Sequence, residues 1–209
     1  MFTGIVTAIG TVASVERRGD LRVVIACPYD PEQIAIGASI ACSGVCLTVV
    51  DRGGEPGADS PGAWFAVDVS DESISCTAPR WHVGARLNLE QALKLGDELG
   101  GHIVTGHVDG VGRIVAIRSE GDSLRVEIAA PAALAPYLAP KGSITIDGVS
   151  LTVNAVVDQP DGSCHFTLNL IPHTGKVTTL GSLAEGDAVN LEIDVLARYL
   201  KRMEALRAA

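Results

Sequence analysis

Two segments of this chain are near-copies of each other: Cys42-Ser43-Gly44-Val45-Cys46-Leu47-Thr48-Val49 and, about 100 residues later, Ile146-Asp147-Gly148-Val149-Ser150-Leu151-Thr152-Val153. Three more blocks repeat in the same order. Phe2-Thr3-Gly4-Ile5-Val6-Thr7-Ala8-Ile9-Gly10 lies over Val104-Thr105-Gly106-His107-Val108-Asp109-Gly110-Val111-Gly112. Phe65-Ala66-Val67-Asp68-Val69 lies over Phe166-Thr167-Leu168-Asn169-Leu170, and Gly84-Ala85-Arg86-Leu87-Asn88-Leu89-Glu90 lies over Gly186-Asp187-Ala188-Val189-Asn190-Leu191-Glu192. Four ordered blocks at nearly constant spacing mark a duplicated domain, so one folding plan must serve twice within 209 residues.

That plan reads as all-β. The repeated blocks are rich in Val, Ile and Thr and are punctuated by glycines, which suits short strands joined by tight turns. Gly4 to Val15 and Leu21 to Ala26 form two such runs around Arg17-Arg18-Gly19-Asp20, a hairpin pattern. Pro28-Tyr29-Asp30-Pro31-Glu32 interrupts the sheet, and the matching stretch Pro131 to Leu138 reads as a short helix. The polar loop Arg52 to Gly62 is longer than its counterpart Asp158 to Ser163, as loops vary where strands do not. Closing such strands into a small barrel removes exposed sheet edges. The expected architecture is therefore two homologous six-stranded, Greek-key-like barrels in tandem, over residues 1–97 and 98–193, joined through Gln91 to Gly101.

Residues 194–209 follow a different rule. Behind Asp194, a suitable N-cap, Leu196, Tyr199, Leu200, Met203 and Leu206 fall on one face of a helix, with Arg198, Lys201, Arg202, Glu204 and Arg207 around the rest. A lone helix of this length is marginal in water. The stripe must pack against a barrel of its own chain or against copies from other chains, and pattern alone leaves both open.

The net charge of -9 argues against a polyanionic partner, so nucleic acid is not expected. Cys27, Cys42, Cys46, Cys76 and Cys164 show neither CxxC nor Cys/His ligand spacing, so they read as reduced thiols with no disulfide framework and no metal site. No apolar run reaches the roughly 18 residues of a membrane span, and the start lacks the basic segment of a secretory signal. A soluble cytoplasmic protein is expected.

Chemistry is best sought where the two copies differ. Ile5 is replaced by His107 in the second copy, Cys46 by Ser150, Ser43 by Asp147, and Glu72 by His173. His107 carries the clearest proton-transfer signal, since imidazole titrates near neutrality; a His between glycines also fits a backbone-bonded strand residue. His102, His82 and His165 carry weaker signals. Cys46 is either a thiolate nucleophile or a core residue. Ser150, Thr48 and Thr152 suit both strand packing and hydrogen bonding to a polar heterocycle. The glycines of residues 105–112 lack the Lys-Ser/Thr pair of a phosphate loop.

Taken together, Met1 to Val6, Gly44 to Val49, Gly100-Gly101-His102, Thr105 to Gly110, Lys141-Gly142, Ile146 to Val153 and Leu170-Ile171-Pro172-His173-Thr174 resemble the riboflavin synthase family of the α-chain type, along essentially the whole chain. That resemblance implies a transferase acting on two molecules of 6,7-dimethyl-8-ribityllumazine, one per barrel. A four-carbon unit passes between them to give riboflavin and 5-amino-6-ribitylaminouracil, without cofactor or metal. It implies a homotrimer whose productive pair forms between barrels of different subunits, and it leaves association with lumazine synthase open. Carried over by position, Gly4, Ile5, Val6, Cys46, Leu47, Thr48, Asp68, Val69, Ser70, Asp71, Glu72 and Ser73 line the first pocket. Gly106, His107, Val108, Lys141, Ser150, Leu151, Thr152, Leu170, Ile171, Pro172, His173, Thr174 and Gly175 line the second. His107, Ser150 and Thr152 are the expected proton-handling and nucleophile-activating groups, with Cys46 assisting. Gly175 stands where the family usually has Leu. The rival reading is a non-catalytic lumazine- or flavin-binding protein of the same fold; the polar sets kept in both copies favour the enzyme.

Overall fold

The computed structural model describes residues 1–54 and 62–207, so the middle of the longer first-half loop lies outside the described residues. Strands β1 (Ala8–Arg18) and β2 (Asp20–Cys27) form the expected hairpin. They are followed by β3 (Ser39–Cys42), β4 (Val45–Gly53), β5 (Ala63–Val69), helix α1 (Asp71–Cys76) and β6 (Arg86–Gln91). The six strands close in the order β1-β2-β5-β4-β3-β6, with antiparallel pairing throughout.

The second half repeats this with β7 (Gly110–Glu120), β8 (Ser123–Ala130), β9 (Ser143–Ile146), β10 (Val149–Thr152), β11 (Ala155–Asp158), β12 (Cys164–Leu170), α2 (Pro172–Val177) and β13 (Ala188–Ile193). Its sheet runs β10-β9-β13-β7-β8-β12-β11. The two end strands are consecutive in the chain, separated only by Val153 and Asn154. Together they occupy the place of β4, where the first barrel has a bulge between Val49 and Asp51. Across the break Val153 donates to the Gly142 carbonyl and Asn154 to the Thr167 carbonyl. The second sheet therefore curls round the same circle as the first, interrupted at one strand. Both long hairpins carry the same irregularity, between Val12 and Ser14 and between Ile114 and Ala116, which bends the strands toward closure.

Each barrel is filled by inward-facing side chains. Val23, Ile25, Phe65, Leu87 and Leu89 fill the first, and Ile114, Ile128, Ile144, Phe166 and Leu191 fill the second, all essentially without solvent contact. Each contributes about 1.5–3 kcal/mol relative to exposure. The Pro131 to Leu138 stretch, expected as a short helix, is a single 3-10 turn over Ala135–Tyr137, too short for an α-helical hydrogen-bond ladder.

The barrels meet about a pseudo-twofold axis. The β3–β4 turn at Ser43-Gly44 abuts the β9–β10 turn at Asp147-Gly148; Ser43 and Asp147 both have φ of 46°, and a Cβ on Gly44 would lie 2.9 Å from the Gly148 nitrogen. Asn88 donates its side-chain amide to the Asp147 carbonyl (2.9 Å), and Asn190 donates to the Ser43 carbonyl (2.8 Å). The returning amide oxygens accept from Thr179 N–H and Ala78 N–H. Asp147 breaks the symmetry: its fully buried carboxylate accepts from Arg80 of the first half and from Asn190 N–H. Burial pushes its pKa up to about 6, against the pull of Arg80. The Ser43/Asp147 difference thus belongs to the seam between barrels.

Helix α3 (Val195–Arg207) begins where expected, with Asp194 Oδ1 accepting from Leu196 N–H at 2.9 Å. Arg198 ties it to Asp109 at 2.8 Å. Its apolar stripe is left open: Leu196, Tyr199, Leu200, Met203 and Leu206 remain 51–66% exposed. No helix among the described residues is long and apolar enough to cross a membrane.

Candidate active site

Strand alternation decides which side chains are available. Along β4, Val45, Leu47 and Val49 are buried in the barrel, so Cys46 and Thr48 stand on its outer face. On β10, Ser150 is half-buried and Thr152 exposed. The polar positions therefore line the outside of each barrel, and what covers them comes from elsewhere in the chain.

The cover is crossed. The segment before β1 reaches the second barrel: Ser150 N–H donates to the Gly4 carbonyl at 2.8 Å, and Val6 packs on the second core. The segment before β7 reaches the first barrel, where Cys46 N–H donates to the Gly106 carbonyl at 2.8 Å and Val108 packs on the first core. An antiparallel bridge between Phe2 and Val104 holds the two segments together at the crossing. Both contacts require glycine. Gly4 and Gly106 have φ of +76° and +78°, and a Cβ there would lie 2.5 Å from Ser150 Cβ and 2.6 Å from Cys46 Cβ. This corrects the sequence-based grouping: Gly4, Ile5 and Val6 belong with Ser150, and Gly106, His107 and Val108 with Cys46.

Near Ser150 the structure also replaces one histidine with another. His102 Nδ1 lies 2.7 Å from Ser150 Oγ, and Thr145 Oγ1 lies 3.2 Å from His102 Nε2. His102 N–H donates to the Thr3 carbonyl at 3.2 Å, fixing the ring over the crossing. If Nε2 carries the proton and donates to the buried Thr145 hydroxyl, Nδ1 is an acceptor for the Ser150 proton. Burial lowers the His102 pKa, opposed by the Asp194 carboxylate, so neutral imidazole is favoured. A hydroxyl, a neutral imidazole and an orienting hydroxyl in sequence can take up or deliver one proton. His107, by contrast, is exposed on the first barrel's side, beside Gly106.

The remaining candidates frame these two centres. Asp68 is held by Arg22 through two bonds (2.5 and 3.0 Å), which keeps its carboxyl below the usual carboxylate range. Val69 is buried, and Ser70 caps α1 by accepting from Ser73 N–H. Asp71 pairs with Arg17, and Glu72 is exposed. In the second half Leu170 is buried, Ile171, Pro172 and His173 are exposed, and Thr174 and Gly175 are half-buried in α2. Gly175 lies against Gly181, where a Cβ would be 3.6 Å from the Gly181 Cα. Lys141 has φ of 67° and donates its backbone N–H to the Val153 carbonyl, leaving an exposed ammonium beside the strand break. Leu47 points into the barrel, and Leu151 packs on the second core.

Sequence reasoning missed Thr145, and it missed α1 and α2, whose signals were a Ser N-cap and a Pro at the first helical turn. It also passed over Thr3/Thr105 and Glu90/Glu192, although these are identical in the two copies. A buried carboxylate repeated in both halves is a signal that could have been read.

A barrel wall with an outward polar row, covered by a crossed glycine segment, is present twice, so the chain carries the same kind of candidate site on each barrel. The chain matches the lumazine binding domain twice, over residues 3–92 and 105–194, and belongs to that family in duplicated form. Among curated relatives it is 49% identical to the riboflavin synthase of Brucella abortus (97% of this chain, 98% of the relative). It is 45% identical to that of Mycobacterium tuberculosis, over the same shares. Among solved structures it superposes on LumP complexed with riboflavin (TM-score 0.77, 28% identity, 92% of this chain and 99% of that one) and on LumP complexed with 6,7-dimethyl-8-(1'-D-ribityl) lumazine (TM-score 0.74, 26% identity).

Proposed function

We propose that this chain is a riboflavin synthase: it converts two molecules of 6,7-dimethyl-8-ribityllumazine into riboflavin and 5-amino-6-ribitylaminouracil. The similarity to riboflavin synthases over nearly the full length of both partners carries this reading. The transfer balances without oxidant or reductant, since one lumazine gives up four carbons as a unit and the other accepts them. Identical substrates must then be treated differently. One has to lose a proton from its C7 methyl, and the other has to be attacked at C7.

The unlike pockets suit that division. At the second barrel Ser150, His102 and Thr145 form a proton-handling chain, with Gly4 to Val6, Lys141, Leu151, Thr152 and Leu170 to Gly175 around it. At the first, Cys46 and Thr48 with Asp68 to Ser73 and Gly106 to Val108 offer a thiol, hydroxyls and an exposed imidazole. Holding two ring systems face to face before reaction supplies much of the rate. Both rows lie on outer barrel walls, and the α3 stripe is open. Both observations support a homotrimer in which the first barrel of one subunit faces the second barrel of another. We assign residues 1–97 and 98–193 to the two ligand-binding domains and 194–209 to assembly, in the cytoplasm.

The test uses the lumazine as sole organic substrate. Riboflavin and the pyrimidine should appear in equal amounts as lumazine fluorescence falls. Saturable binding with no riboflavin formed would instead make the chain an optical or carrier lumazine protein of the same fold.

A further inference from the structure

Glu90 on β6 and Glu192 on β13 are buried carboxylates, 5% and 3% exposed, that the reaction does not use directly. Glu90 Oε1 accepts from Thr3 N–H (2.7 Å) and the Thr3 hydroxyl (2.8 Å), and Oε2 accepts from Gly4 N–H (3.0 Å). Glu192 repeats the pattern with Thr105 N–H (2.7 Å), the Thr105 hydroxyl (2.6 Å) and Gly106 N–H (2.9 Å). Among the described residues neither is paired with a cation; three donors satisfy each one. The held segment then crosses the molecule. From Glu90 of the first barrel, Thr3 and Gly4 bond His102 and Ser150 of the second half, while from Glu192 of the second barrel, Gly106 bonds Cys46 of the first.

We infer that Glu90 and Glu192 are crossed positioning residues: each sets the ligand pocket on the opposite barrel by fixing the segment that covers it. The chemistry of the held groups makes the carboxylate specific. Every partner is a donor, so an amide in its place turns one N–H2 against the Gly4 or Gly106 N–H and pushes the segment off the wall. Each barrel thereby supplies the other's cover. Within its own barrel Glu192 lies in the same cross-strand row as Thr145 and Ser150, and Glu90 in the row of Ala41 and Cys46. An own-barrel effect is therefore the competing outcome.

The inference rests on the reading of both pockets as lumazine sites, and the probe separates the two ideas. 6-Methyl-8-ribityllumazine labelled with 13C at its methyl lacks the C7 methyl and cannot react, so its bound resonances report each pocket at equilibrium. Cys46→Ser assigns the first-pocket resonance. Glu192→Gln should weaken binding at the Cys46 pocket by about 10- to 100-fold, the range of a lost hydrogen bond to a charged group. It should leave the Ser150 pocket within about twofold, and Glu90→Gln should do the reverse. Should a Gln variant fail to fold, Thr105→Val removes the hydroxyl donor to Glu192, and Thr3→Val removes the donor to Glu90 together with the acceptor of Ile5 N–H; each should give the same selectivity at smaller amplitude. Equal weakening of both pockets, or weakening on the variant's own barrel, overturns the crossed assignment. Failure of the parent protein to bind the probe overturns the lumazine reading instead.

Discussion

Ser150→Ala is expected to lower the turnover of lumazine by about 10- to 1000-fold while lumazine still binds, the range for loss of acid-base assistance. The hydroxyl lies 2.7 Å from the neutral His102 ring, while the backbone N–H, which the substitution keeps, holds the crossed Gly4 segment. His102→Ala should be of similar size, because it strands the Ser150 and Thr145 hydroxyls together. His107→Ala should be the milder change at the second pocket, since His107 sits on the first barrel's side. The acid limb of the rate profile offers a further check. The His102 pKa is lowered in the folded chain from an ordinary 6.5. The ring then stays a proton acceptor below pH 6.5, and activity falls only as pH drops through the folded value. The stability contribution has the matching sign: it is complete above about 6.5 and is lost as pH falls toward the folded pKa, because the unfolded chain takes the proton first. Steady-state rates across pH for the parent and for His102→Asn measure this. A fully active Ser150→Ala would remove the second pocket from the proton chemistry.

Ending the chain after Asp194 is expected to abolish the proposed trimer and most of the activity at dilute protein. The deleted helix adds little to its own barrel. It is tied by Arg198–Asp109, and its five apolar side chains stay more than half exposed. Burying that stripe against copies would contribute about 25 cal/mol for each Å² removed from water. Light scattering should show a monomer with circular dichroism still of β type. Turnover per chain should rise with protein concentration, as mass action requires of a site assembled from two subunits. An active monomer at every concentration would refute both the assembly role of α3 and the intersubunit site.

The repeated blocks made the β content and the duplication legible, because hydrophobic alternation and glycine spacing are local properties that duplication displays twice; the pairing order and the interrupted strand that gives the second half seven strands were not. The tail was legible for the same reason: Asp194 and a helical stripe are read within one segment. The crossing was not. Gly4 next to Ser150 and Gly106 next to Cys46 are contacts between halves, and no local pattern says which barrel a glycine segment will cover. His102 was undervalued for the same cause, since its partners Ser150 and Thr145 lie more than 40 residues away. Asp147 was visible as a departure from Ser43, but only the half-buried Arg80 beside it shows that the difference ties the barrels together. Helices α1 and α2 span six residues each, too few for periodicity to register.

Subunit complementation bears most directly on the claim that two unlike pockets from different chains make one active centre. Ser150→Ala disables the second pocket in every subunit. Gly106→Ala, whose Cβ would lie 2.6 Å from Cys46 Cβ, disables the first. Each variant alone should form trimers with little turnover. Dissociated, mixed and reassembled, the two should regain activity far above the sum of the separate preparations, because an intact first pocket of one chain then faces an intact second pocket of the other. Mixed trimers no more active than the sum would contradict the intersubunit pairing and return the chemistry to pockets within a single chain.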